Sequence, residues 1–94
     1  MNLSAQITIP FLSRVKKVEI LLFTKHLSVM TKAGIPIPEA LKTLQEQAKS
    51  ASFKQTLEKI LADVENGKSL ADSLAKHPRA FSHFYVNLIE ISEN

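Results

Sequence analysis

The sequence contains no cysteine and no tryptophan, and its 94 residues include only two glycines and one tyrosine. Without cysteine there is no disulfide, no thiolate metal site and no thiol nucleophile. Two glycines and four prolines, against 45% apolar residues, describe a folded chain with few loops. Long hydrophobic runs are missing as well. Val18 to Phe23 and Phe84 to Ile91 are the best of them, and Glu19, Asn87 and Glu90 interrupt them well short of the ~20 residues a membrane helix requires. The N-terminus does not read as a secretory signal, because its bases follow the apolar part instead of preceding it. As given, the chain reads as soluble. One small domain is expected, burying about two-thirds of its unfolded surface, so stability must lean on helix packing or on a partner.

Charge is in slight basic excess, +3 with a pI near 9.3, which invites a nucleic-acid or anionic-membrane partner. Its distribution argues against the first. Beyond Lys17 the bases are interleaved with all nine acids, as in Glu39, Lys42, Glu46, Lys49 and Lys54, Glu58, Lys59, Asp63, a pattern of solvated helix faces. Arg14, Lys16 and Lys17 meet no acid, and a basic start of this kind suits a membrane surface.

Residues 1–16 read as a basic flexible arm, with Pro10 able to open a helical turn through Phe11, Leu12 and Val15. From Lys17 the period is helical: Ile20, Phe23, Leu27 and Met30 recur at three or four residues, flanked by Leu22, His26, Val29 and Ala33. Gly34 supplies a left-handed helix stop. A second helix is expected from near Pro38, with Glu39 in its first turn and Ile37, Leu41, Leu44 and Ala48 inward. The Lys49–Ser52 link offers a hydroxyl cap for a third helix, with Phe53, Leu57, Ile60, Leu61 and Val64 inward and Asn66-Gly67 at its end. Ser69 caps a short fourth helix carrying Leu70, Ala71 and Leu74, with Asp72 three residues on. His77-Pro78 closes it. A last helix from near Ser82 is expected to show Phe81, Phe84, Tyr85, Leu88 and Ile91 on one side. It meets no stop signal before Asn94, so the native chain is expected to continue. No hairpin or period-two run appears beyond the arm. The expected fold is all-α, a compact antiparallel bundle of five to six helices cut before its last one.

Few residues invite chemistry. His26 has no carboxylate or second histidine at helical spacing and reads as a partly buried structural residue, since a metal site needs three or four convergent ligands. His77 and His83 read as surface residues of a helix-helix turn. Glu90 and Glu93 share a helix face and offer two oxygens to a hard cation, far fewer than calcium prefers; a solvated face is the simpler reading. Ser28, Ser69 and Ser73 lack an elbow and a His-Asp set. Gly67-Lys68-Ser69 lacks both the earlier glycine, where Ala62 stands, and the strand of a phosphate loop. No catalytic residue, cofactor or metal is expected, and an enzyme is disfavoured. A helix-turn-helix reading, with a nucleic-acid partner, is the alternative. Against it, the helix after Gly34 opens Ile37-Pro38-Glu39, with an acid where phosphates or base edges would lie.

The segment Phe23-Thr24-x-x-Leu27-x-x-Met30-x-x-Ala33-Gly34-Ile35-Pro36-Ile37-x-Glu39-Ala40-Leu41 resembles the start of the first cytoplasmic domain of the inner-membrane platform proteins of type II secretion and type IV pilus machines. Gly67-x-Ser69-Leu70-x-x-x-Leu74 is similar to that family's second motif, and Pro78-x-x-Phe81-x-x-x-Tyr85-x-x-Leu88-Ile89 to its third. The resemblance covers residues 17–94, with Ser73 where the family usually has alanine and Ser92 where it tends to have glycine. It implies a six-helix domain present twice in a full protein, the copies separated by membrane helices absent from this chain. It also implies a non-enzymatic scaffold on the cytoplasmic side of the bacterial inner membrane, in contact with an assembly ATPase, with pilins and with other machine components. Lys42, Lys49, Lys54 and Lys59 are candidate contacts for the ATPase. An uncovered stripe from Phe81 to Ile91 would favour self-association as a dimer.

Overall fold

The structure, a computed structural model, describes residues 15–93. All but the last two residues of the expected arm lie outside them. Five helices follow in order: α1 (Lys17–Lys32), α2 (Ile37–Gln47), α3 (Ala51–Glu65), α4 (Leu70–Ala75) and α5 (His83–Glu93), and no strand occurs among the described residues. The chain is all-α. Consecutive helices pack on one another, most extensively α2 on α3 and α4 on α5.

Both glycines terminate helices. Gly34 has φ +88° and Gly67 φ +96°, in the left-handed region where a side chain is strained. At each, two amides fold back on the helix just ended. Gly34 N–H donates to Thr31 O and Ile35 N–H to Met30 O, at 3.0 Å each; Gly67 N–H donates to Val64 O and Lys68 N–H to Asp63 O, also at 3.0 Å. These are two Schellman closures. After the first, Pro36 stands as N-cap of α2 in extended conformation. The helix begins at Ile37, one residue before the position expected. Pro38 is tolerated inside the first turn because amides there have no intrahelical acceptor.

Hydroxyls cap the later helices. Ser50 Oγ accepts from Phe53 N–H at 3.1 Å and Ser69 Oγ from Asp72 N–H at 3.0 Å, while Ser82 Oγ accepts from Tyr85 N–H at 3.1 Å. Ser50 does a second job, donating to Glu19 Oε2 at 2.7 Å, while Glu19 Oε1 accepts from Lys16 N–H at 3.3 Å. One carboxylate thus ties the start of α1 to the start of α3.

The core gathers Phe23 and Leu27 of α1, Ala40, Leu41 and Leu44 of α2, Phe53, Leu57 and Ile60 of α3, Leu70 and Leu74 of α4, and Phe81. Phe23 meets Phe53 edge-on, with centroids 5.6 Å apart, and Phe81 lies 5.8 Å from Phe23, 6.4 Å from Phe53 and 5.3 Å from Tyr85. Pairs of this kind add about 0.5–1.5 kcal/mol beyond area burial. Ser73 is fully buried, and its hydroxyl donates to Ser69 O at 2.8 Å, so a polar group in the core is satisfied within its own helix.

Two expectations need correction. His26 is exposed rather than partly buried, because at 100° per residue it lies about 80° around the helix from the direction midway between Phe23 and Leu27. On α5 the inward residues are Tyr85, Val86 and Ile89, whereas Phe84, Leu88 and Ile91 face outward. The helix is apolar around most of its circumference, so period alone left its orientation open.

Candidate interaction surface

The residues that carry the family resemblance form the frame. Phe23, Leu27, Ala40, Leu41, Leu70, Leu74 and Phe81 are core residues. Ala33 caps α1, Gly34 and Gly67 turn the chain, Pro36 and Ser69 open helices, and Pro78 is exposed in the link before α5. Glu39 is exposed in the first turn of α2. Thr24 and Tyr85 meet across the domain. Thr24 Oγ1 donates to Ile20 O at 2.7 Å and stands 2.6 Å from the Tyr85 hydroxyl, which must therefore be the donor of that pair. Burial raises the Tyr85 hydroxyl above its ordinary value.

Glu93 does work that the sequence did not announce. Its Oε2 accepts from Leu70 N–H and its Oε1 from Ala71 N–H, both at 2.9 Å. With Ser69 on the third amide, the first turn of α4 is satisfied from two places, and a negative charge sits at the positive end of the helix. Both carboxylate oxygens are engaged by backbone, and Glu90 is exposed elsewhere on α5. Among the described residues no group of three or more histidines and carboxylates is close enough to hold a metal.

The four candidate lysines, Lys42, Lys49, Lys54 and Lys59, are all exposed. Lys76 pairs with Asp63 at 3.0 Å, and the Lys76 hydrogen bond, reinforced by the Lys76, Lys68 and His77 charges, holds Asp63 below the usual carboxylate range. His77, expected at the surface, is half-buried, whereas His83 is exposed as expected; burial, aided by the Lys59 and Lys76 charges and opposed by Asp63, lowers His77. A groove of about 330 Å³ runs between the start of α1 and the 78–82 link, lined by Val15, Ile20, Ala80 and Tyr85 with Lys17 and Arg79. It offers no acid-base pair. What remains available is surface: two outward apolar stripes, one on α1 and one on α5, and the mixed-charge faces between them. No helix among the described residues is long and apolar enough to cross a membrane.

Comparison with known proteins matches residues 23–94 to the family described as type II secretion system (T2SS), protein F. The chain belongs to the type II secretion system protein F family. Members similar to it include the type IV pilus assembly protein PilC of Myxococcus xanthus, 38% identical over 91 residues, which are 97% of this chain and 22% of that protein. PilC of Thermus thermophilus is 34% identical over 93 residues, 98% of this chain and 23% of that protein. The type II secretion system protein F of Aeromonas hydrophila is 32% identical over 75 residues, 80% of this chain and 19% of that protein. The chain thus spans about a fifth of the length of these relatives. In this protein F family, members are named for type IV pilus assembly and for type II secretion alike.

Proposed function

We propose that the chain is the first cytoplasmic domain of an inner-membrane platform protein, a non-enzymatic scaffold that couples an assembly ATPase to pilin or pseudopilin assembly. The observation that carries the reading is the family match over residues 23–94, in a domain whose motif side chains go into core, caps and turns. Such a domain acts through what it touches. The mixed-charge faces of α2 and α3 are the surfaces for the ATPase, with exposed Lys42, Lys49, Lys54 and Lys59 as contacts. Charge complementarity of this kind sets encounter rate and partner choice more than affinity.

The test is a pull-down with the cognate assembly ATPase. Reversal to glutamate at all four lysines should weaken capture while leaving the helical spectrum unchanged. Capture at the parental level would move the contact elsewhere. Self-association belongs to the same reading. Phe84, Leu88 and Ile91 form an outward stripe with no charge on it, and Phe84 is 73% exposed. A second copy can cover that stripe without like-charge repulsion. Sedimentation should show a dimer that Phe84→Glu converts to monomer.

A further inference from the structure

The outward face of α1 differs from that of α5. Val18, Leu21, Leu22 and Val29 all point away from the core, with Leu21 67% and Val29 60% exposed. At 100° per residue these four fall within about a third of the helix circumference, opposite Phe23 and Leu27. Lys25 and Lys32 lie in the same arc and are exposed, and exposed Lys17 borders it. The one acid of the helix, Glu19, is half-buried and engaged by Ser50 and the Lys16 amide. The basic excess is concentrated in this part of the chain. Residues 1–33 hold five bases and one acid, and the remaining residues hold seven bases and eight acids.

We propose that this face of α1 docks on an anionic lipid surface, the helix lying in the plane of the interface with its lysines reaching the headgroups. The proposal rests on α1 alone and does not require the platform assignment. A 16-residue helix offers a straight stripe of about 24 Å. A bilayer surface supplies negative charge and an apolar boundary along that whole length. Lysine stems lie along apolar surface while their ammonium groups stay in water. A second copy fits less well, because Lys25 and Lys32 of each chain would face those of the other. A folded acidic protein would have to match four apolar side chains in a row as well as the charges.

The experiment is flotation of the chain with vesicles, either half phosphatidylglycerol in phosphatidylcholine or phosphatidylcholine alone, at low and high salt. Binding is expected to the anionic vesicles at low salt, falling to background on neutral vesicles and at high salt. Lys25→Gln with Lys32→Gln should lower partitioning about 25-fold, at roughly fivefold per base. Leu21→Gln with Val29→Gln should lower it about tenfold. Every substituted side chain is exposed, so circular dichroism should stay parental. Absence of binding at low salt, equal binding to neutral vesicles, or α1 variants that float normally would overturn the proposal. Salt-sensitive self-association without vesicles that Leu21→Gln abolishes would assign the face to a second copy, and would overturn it equally.

Discussion

Removing the Glu93 side chain should cost this domain far more than an end-of-helix glutamate ordinarily does. Its carboxylate accepts two backbone hydrogen bonds at 2.9 Å, from Leu70 and Ala71. Hydrogen bonds to charged groups contribute about 1.5–3 kcal/mol each when protected from water. These are part-buried, so water recovers some of the loss, and about 2–3 kcal/mol for the pair is the expectation for Glu93→Ala. A helix-dipole effect alone would give only about 0.3–1 kcal/mol. Against a total stability of about 5–14 kcal/mol for a domain of this size, the loss is large. It corresponds to a drop of about 10–15 °C in melting temperature. Urea and thermal unfolding followed by far-ultraviolet circular dichroism measure it. Glu93→Gln keeps one acceptor oxygen and should lose about half as much. Glu90→Ala, on an exposed residue of the same helix, should stay within about 0.5 kcal/mol. If Glu93→Ala behaves like Glu90→Ala, the bonds to α4 contribute nothing and the reasoning fails.

The outward and inward sides of the last helix can be separated by truncation: Phe81→Ala should cost about 3–5 kcal/mol in unfolding free energy, whereas Phe84→Ala should change it by less than about 0.5 kcal/mol. Gly34→Ala should cost about 1–2 kcal/mol, all of it backbone strain at φ +88°, since no atom lies within 4 Å of the added carbon. Burial raises the Tyr85 hydroxyl above 10.0 in the folded chain, so the associated stability is complete below that pH and is lost as pH climbs through the raised folded value. With one tyrosine and no tryptophan in the chain, phenolate absorbance should report this titration alone, and Tyr85→Phe should remove its share of the alkaline loss of stability.

Much of the fold was legible because its signals are local. A glycine that follows an apolar helical repeat stops the helix locally, and a serine one to three residues before such a repeat can cap it, so Gly34, Gly67, Ser50 and Ser69 could be read in place. The stripes of α1 and α3 were legible for a related reason: Phe23 and Leu27, or Phe53, Leu57 and Ile60, recur on one side of a helix whose other side is more polar. The last helix lacks that contrast. In His83-Phe84-Tyr85-Val86-Asn87-Leu88-Ile89 apolar residues surround the axis, and the Tyr85–Thr24 bond, between residues 61 apart, fixes which side turns inward. Ala40 was missed as a core residue because a methyl group is a weak signal beside Ile37. Glu93 was read for the oxygens it offers a cation, while its acceptance of the Leu70 and Ala71 amides depends on how α5 returns beside α4.

That return has a consequence for the order in which the domain is made. A chain leaves the ribosome from its N-terminus. The Glu19–Ser50 bond and the packing of α1 on α2 and of α2 on α3 can therefore form while α5 is still being synthesised. Ser69 can cap the third amide of α4 at once, but the first two must remain with water until residue 93 has emerged. The domain would then close in two acts, and a single carboxylate made near the end of the segment would signal that the second is complete.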